Sequence, residues 1–349
     1  MSRKPCGRRR STLGSPKPRT KRRRATKRHF TKSAIAEDRK DVYERITERI
    51  IADLEKGVRP WAQPWKSGDG GGFKRPLRHN GLPYSGINTL MLWSIAFERS
   101  YENRIWMTFK QAEELQAHVR KGEKGSLVVY ANRITKTETI EAGEEVEHEI
   151  PFLKGYTVFN VEQIEGLPEH YYAKPPPVFQ DAVCRIDHAE QFFAATGADI
   201  RQRGGRAFYR QDDDFVQVPP IEAFPEAEEF YSTLAHEITH WTKHPNRLTR
   251  DFGRKSWGDE GYAIEELVAE LGAAFLCSDL EITPGGGEDV REDHASYIAS
   301  WLKVLKGDKR AIFAAASHAQ RAADYLHGLQ APSPESIAVP SNDPEHSLA

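Results

Sequence analysis

Residues 234–241 read Leu234-Ala235-His236-Glu237-Ile238-Thr239-His240-Trp241. Histidines four apart share one face of a helix, about one turn from each other, so both can reach a single metal ion. Glu237 stands beside them, where its carboxylate can take a proton from an attacking water at the ion's open position. Phe230, Leu234, Ile238 and Trp241 give the same stretch an apolar face, which predicts a helix over about 226–243. The rival reading is a helix carrying two ordinary histidines. A third ligand separates the two, because hydrolytic zinc sites take three protein ligands and leave one position to water.

Metzincins place a glycine and then a third histidine shortly after this motif. Here Lys243 and Asn246 occupy those positions, and His244 is off register. The run Glu265-Glu266-Leu267-Val268-Ala269-Glu270 is the better source, on a helix predicted over about 262–277. It resembles the glutamate helix of gluzincins. That resemblance implies Glu266 as the third ligand and Glu270 as the residue that supports a ligand histidine by hydrogen bonding. Glu265 or Glu270 are the alternative ligands. Ala269, Gly272, Ala273 and Ala274 would let this helix pack closely on the motif helix. The chemistry implied is hydrolysis assisted by Zn2+, or by another divalent metal, with Glu237 as general base. His318, Tyr262 and Tyr297 are candidates for stabilising the developing oxyanion.

The chain of 349 residues is long enough for two domains of ordinary size, each with its own core. With 38% apolar and 29% charged residues it reads as soluble, and no apolar run approaches a membrane span. Its net charge of −1 hides an asymmetry: residues 1–36 hold fourteen Lys/Arg and no acid, while residues 167–349 net −13. The arm is expected to be a disordered cationic tail, not a secretory signal, since no apolar stretch follows its charges. Lys21-Arg22-Arg23-Arg24 would also suit a nuclear-localisation signal. Cys6, Cys184 and Cys277 are odd in number and far apart, which argues against a disulfide framework and for a reducing cytoplasm.

The fold class expected is α+β in two domains. An N-terminal α+β domain spans 37–166, a proline-rich linker 167–180, a metallopeptidase-type domain 181–329, and a disordered tail 330–349. Helices are predicted from about 42 to 54, 87 to 99 and 109 to 119. A strand at 126–132 returns at 152–160, across a solvated loop at 137–149 that carries six glutamates. The second domain is expected to hold a helix near 187–196, strands near 206–209 and 215–218, the two site helices, and final helices near 289–305 and 309–329.

Residues 54–124 net +5, with aromatic residues interleaved among the cations. Single-stranded nucleic acid is held by this mixture: cations track phosphates and aromatic faces stack on bases. Trp61 and Trp65, beside prolines, are the stacking candidates, with Tyr84. Lys66, Arg75 and Lys110 are candidate phosphate contacts, as are Lys121 and Lys124 on a glycine turn. Trp93 and Phe109 are expected in the core.

Several of these stretches are similar to ArdC-type antirestriction proteins. In the first domain they are Gly57-Val58-Arg59-Pro60-Trp61, Pro64-Trp65, Pro83-Tyr84-Ser85-Gly86-Ile87-Asn88, Trp106–Ala112 and Val119–Gly125. Residues 234–241 and 265–276 resemble the zincin-like domain of the same family. The resemblance covers roughly 40–328. It implies a protein of conjugative plasmids or related mobile elements that binds single-stranded DNA and metal and protects incoming DNA from host restriction. It also raises a protein substrate, such as a restriction component. The chain departs from the pattern at Gln116-Ala117-His118, where the family often has Gly-Gly. The basic arm lies outside the pattern and is a candidate extra DNA-binding element. The alternatives are a DNA-binding protein whose metal is purely structural, or a replication accessory protein.

Overall fold

The computed structural model describes residues 41–61, 74–139, 145–172, 182–253, 260–283 and 294–330. The basic arm, Trp65, Lys66, residues 173–180 of the linker and residues 331–349 of the tail lie outside the described residues.

Helix α1 (Val42–Glu55) begins where Asp41 accepts the Glu44 amide at 2.8 Å, and it ends at Gly57, whose φ of +75° suits a glycine. There follow β1 (Leu77–Arg78), α2 (Ile87–Arg99), β2 (Ile105–Thr108), α3 (Phe109–Glu114), β3 (His118–Val119), β4 (Ser126–Thr139), β5 (Glu145–Asn160) and β6 (Ile164–Glu165). Four of these strands form a sheet of order β1-β2-β5-β4, in which only β1 and β2 are parallel; β3 and β6 pair separately.

Two expectations change here. Helix α3 stops after six residues, because Gln116 turns the chain at φ +59° and His118–Val119 leave to pair with β6. Residues 137–139 and 145–149 of the glutamate-rich segment are strand, not loop: β4 and β5 stay in register from Ser126↔Val158 to Thr139↔Glu145. Glu145, Glu147 and Glu149 alternate with Val146, His148 and Ile150, a period of two that a strand accommodates.

The second half runs α4 (Ala182–Ala195), β7 (Asp199–Gln202), β8 (Phe208–Arg210), β9 (Phe215–Val218), α5 (Ala227–Trp241), α6 (Glu260–Asp279), α7 (His294–Gly307) and α8 (Ala311–Gly328). Strand β7 carries one apolar residue, too weak a pattern to announce itself, yet it pairs in parallel with β9. Helix α5 lies on β8 and β9, and α6 packs between α5, α7 and α8. The fold is thus α+β, with the metal-motif helix held between a small sheet and a helical layer.

The first half has two small cores of its own, around Met107 and around Trp106. The largest core is shared between the halves: Ile46, Ile50, Leu54, Trp61 and Trp93 join Phe230, Phe275 and Trp301. Trp61 meets Trp301 edge-on with centroids 5.9 Å apart, and Trp93 meets Phe275 at 5.9 Å. Polar clasps reinforce the junction: Thr47 Oγ1 donates to the Lys309 carbonyl at 2.6 Å, and Arg75 forks onto Asp279 at 2.6 and 2.8 Å. Replacing Trp61 by Ala empties space in this shared core and is expected to cost about 3–5 kcal/mol. Chemical denaturation of the variant checks this; a midpoint equal to wild type would contradict it.

Candidate metal centre

The site is built by the approach of α6 to α5. Helix α5 sinks Phe230, Leu234 and Ile238 into the core, with His236 and His240 one turn apart and also buried. Gly272 of α6 faces Thr239 of α5; a Cβ at Gly272 would lie 2.5 Å from the Thr239 methyl. Only a glycine permits that approach, and six residues earlier on α6 it brings Glu266 to both histidines.

His236 Nε2 and His240 Nε2 are 3.2 Å apart, and the Glu266 carboxylate oxygens stand 3.5 and 3.6 Å from them. Donors held at roughly 2.0–2.1 Å by a tetrahedral ion stand about 3.3 Å apart. Two imidazole nitrogens and one carboxylate at this spacing therefore fit a divalent cation, and they are the one such cluster among the described residues. Glu237, next to His236, is buried at the same place on α5.

Behind each of the two imidazoles lies a carboxylate. His240 Nδ1 donates to Glu265 Oε1 at 2.9 Å, and Arg250 forks onto the same Glu265 at 2.8 and 3.0 Å. Arg250 also donates to Thr242 Oγ1 and to the Thr239 carbonyl. Glu265, an alternative ligand in the sequence, is thus excluded from that role: both its oxygens face away, toward Arg250 and Nδ1. Glu270 Oε1 stands 3.5 Å from His236 Nδ1, so it too faces the back of a histidine. A neutral His240 that donates from Nδ1 to Glu265 would present its Nε2 lone pair to an ion. Arg250 was invisible in the sequence, since nothing in its spacing marks it; its side chain is 1% exposed.

These contacts set the protonation. Burial works against a charge on His240, but Glu266 and Glu265 hold its imidazole up at about 9. Burial would raise Glu265, yet His240 and Arg250 bring it down to about 2. Glu266, also against burial, is held well below the usual carboxylate range by His240 and His236. Tyr262 and Tyr297, both oxyanion candidates, join hydroxyls at 3.0 Å. Burial and the neighbouring Glu266 push the Tyr262 phenol up, so it remains a donor. His318 lies edge-on to Phe252, and burial together with Arg321 and Arg250 pushes it down to about 4.

The nucleic-acid candidates divide. Three are corrected. Trp61 is 1% exposed under Trp301 and Tyr84 is 3% exposed beside Leu92 and Trp106, so neither offers a face to a base. Arg75 is buried between Asp279, Gln320 and the Phe275 ring, which leaves no cation for a phosphate. Their partners come from distant parts of the chain, which local composition cannot reveal. Lys110, Lys121 and Lys124 are exposed, whereas Trp65 and Lys66 fall outside the described residues. Trp93 is buried as expected, but Phe109 is 49% exposed, in an edge-type contact with Phe159. Phe159 also closes over Gly125, so Phe109 and the Lys121–Lys124 turn lie around one side chain.

Fold and site together define a zincin-like metal-site protein. Residues 187–318 match the zincin-like metallopeptidase family, and residues 40–159 match the N-terminal domain of the anti-restriction factor ArdC. The chain belongs to the ArdC antirestriction family. It is similar to the metal-free crystal structure of antirestriction protein ArdC from plasmid R388, with a TM-score of 0.69 and 46% identity over 83% of this chain and 98% of that one. The Mn(II)-bound structure of the R388 protein gives 0.66 and 44% over the same shares. The chain is 41% identical over 296 residues to the uncharacterized protein y4eC of Sinorhizobium fredii, covering 83% of this chain and 92% of that protein. It is also 37% identical over 307 residues to a DNA primase TraC of Escherichia coli, of which it spans 27%.

A pH dependence follows from His240, whose folded value of about 9 lies above the ordinary 6.5. A raised histidine contributes stability that is full below about 6.5 and lost as pH rises through about 9. Metal-free protein is therefore expected to lose melting temperature across that window, and His240→Asn to lack this component. A melting temperature of metal-free wild type that stays level or rises there would contradict the arrangement.

Proposed function

We propose that this protein binds single-stranded DNA through the exposed aromatic and basic surface of its first half and carries a zinc-dependent, peptidase-type hydrolytic centre in its second. In this reading it serves a mobile element in the cytoplasm and protects incoming DNA from host restriction. Its protein substrate would be a component of the restriction machinery. The observation that carries the reading is the convergence of His236, His240 and Glu266, with Glu237 adjacent, in a member of an antirestriction family. No helix among the described residues is long and apolar enough to cross a membrane.

When bound, a divalent cation supplies a Lewis acid that polarises the scissile carbonyl and makes water more acidic. His236, His240 and Glu266 would hold it. Glu237 takes the proton of the attacking water and delivers it to the leaving amine. The neutral Tyr262 phenol, fixed by Tyr297, offers a hydrogen-bond donor to developing negative charge. Glu265 and Glu270 keep the two imidazoles oriented from behind. Phe109, Lys110, Lys121 and Lys124 take the place of Trp61, Tyr84 and Arg75 as the stacking and phosphate contacts.

A second reading keeps the DNA binding and makes the metal structural; the deep burial of both histidines favours it. Glu237→Gln separates the two. The variant is expected to keep its metal and its oligonucleotide affinity while losing about 10²–10⁴-fold in hydrolysis, together with antirestriction in cells. Undiminished antirestriction with metal retained would reject proteolysis. For the DNA surface, Phe109→Ala is expected to weaken oligonucleotide binding by about 1–3 kcal/mol, and Lys121→Glu with Lys124→Glu to flatten its salt dependence. Wild-type affinity and salt slope in both variants would place the interface elsewhere.

A further inference from the structure

The two ligand histidines are backed in the same manner, but from different parts of the chain. Behind His240, Glu265 is held by Arg250, and both residues belong to the second half. Behind His236, Glu270 presents Oε1 to Nδ1 at 3.5 Å, while its other oxygen, Oε2, faces Arg59 Nη1 at 3.6 Å. Arg59 belongs to the first half. All three side chains are largely shielded from water, at 6%, 13% and 17% exposed for His236, Glu270 and Arg59.

The backbone around Arg59 is also fixed. Gly57 turns the chain with a positive φ, the Val58 amide donates to the Asp53 carbonyl at 2.9 Å, and Pro60 and Trp61 are buried. Trp61 is wedged on Trp301, so Arg59 is delivered to α6 by a segment with little freedom. A shielded carboxylate set between a guanidinium and an imidazole is held in place by the one and orients the other.

We propose that Arg59 is a positioning residue of the metal centre, acting through Glu270 on His236, so that the first half completes the site of the second. This rests on the reading of His236, His240 and Glu266 as metal ligands. The interface between the halves then does more than cover apolar surface. By linkage, whatever shifts the 58–61 segment shifts metal affinity by the same factor that metal shifts the segment.

The test is metal affinity of the full chain, measured with Zn2+ and with Mn2+ against a chromophoric chelator, beside thermal melts of the metal-free proteins. Arg59→Met is expected to weaken binding about 10–100-fold, with Arg59→Lys recovering most of the loss. In a Glu270→Gln background, Arg59→Met should add no further loss, since the connecting carboxylate is gone. Arg59→Gln serves in the same cycle if Arg59→Met leaves too little folded protein. Unchanged affinity in folded Arg59 variants would overturn the inference. So would losses that simply add to those of Glu270→Gln, because a role confined to packing gives additive effects. If wild type itself takes up neither ion, the ligand assignment fails first; if wild type binds and Arg59 variants match it, only the inference fails.

Discussion

The close approach of α6 to α5, with Gly272 set against Thr239, is the constraint on which the site depends. Helices separated by ordinary side chains lie 8–10 Å apart axis to axis. The missing Cβ lets α6 come near enough for the short reach of Glu266 to span both imidazoles. Glu265, one residue before Glu266, then stands behind His240, and Glu270, one turn further along α6, stands behind His236. One contact thus gives three glutamates three places: Glu266 facing both histidine Nε2 atoms, Glu265 and Glu270 behind the rings. Arg250 and Arg59 then hold the two supporting carboxylates from either side.

The sequence disclosed the parts of this arrangement that follow from local periodicity. Four-residue spacing placed His236 and His240 on one helix face, and the bounds of α2 follow from its apolar pattern. The small residues of α6 correctly indicated close packing. Which glutamate would face the ion could not be read from spacing, because Glu265 and Glu266 differ by one step of rotation on α6. Only the direction of α6 relative to α5 decides between them. Arg250 and Arg59 were silent for a related reason: their partners lie 15 and 211 positions away in the chain.

The nucleic-acid surface was read least well, and the reason is physical. Aromatic residues beside basic ones look alike whether they stack on bases or plug a core. Trp61 and Tyr84 are taken up by Trp301 and by the Trp106 cluster, while Arg75 is neutralised by Asp279. Phe109, expected inside, is left half outside at the first position of α3. The long β4–β5 ladder was hidden by its glutamates, whose alternation counts for more than their charge. Against these misses, the shared core explains why a segment that resembles a DNA-binding module also carries Trp61 and Arg59: Trp61 packs on Trp301 and Arg59 faces Glu270, both across the junction.

The central claim is that His236, His240 and Glu266 form one divalent-metal site. Its most direct test is elemental analysis of purified wild type beside Glu266→Ala after equilibration with limiting Zn2+. The account predicts one equivalent in wild type and loss of most of it in a variant that remains folded. A folded Glu266→Ala protein that retains its full equivalent would contradict the assignment.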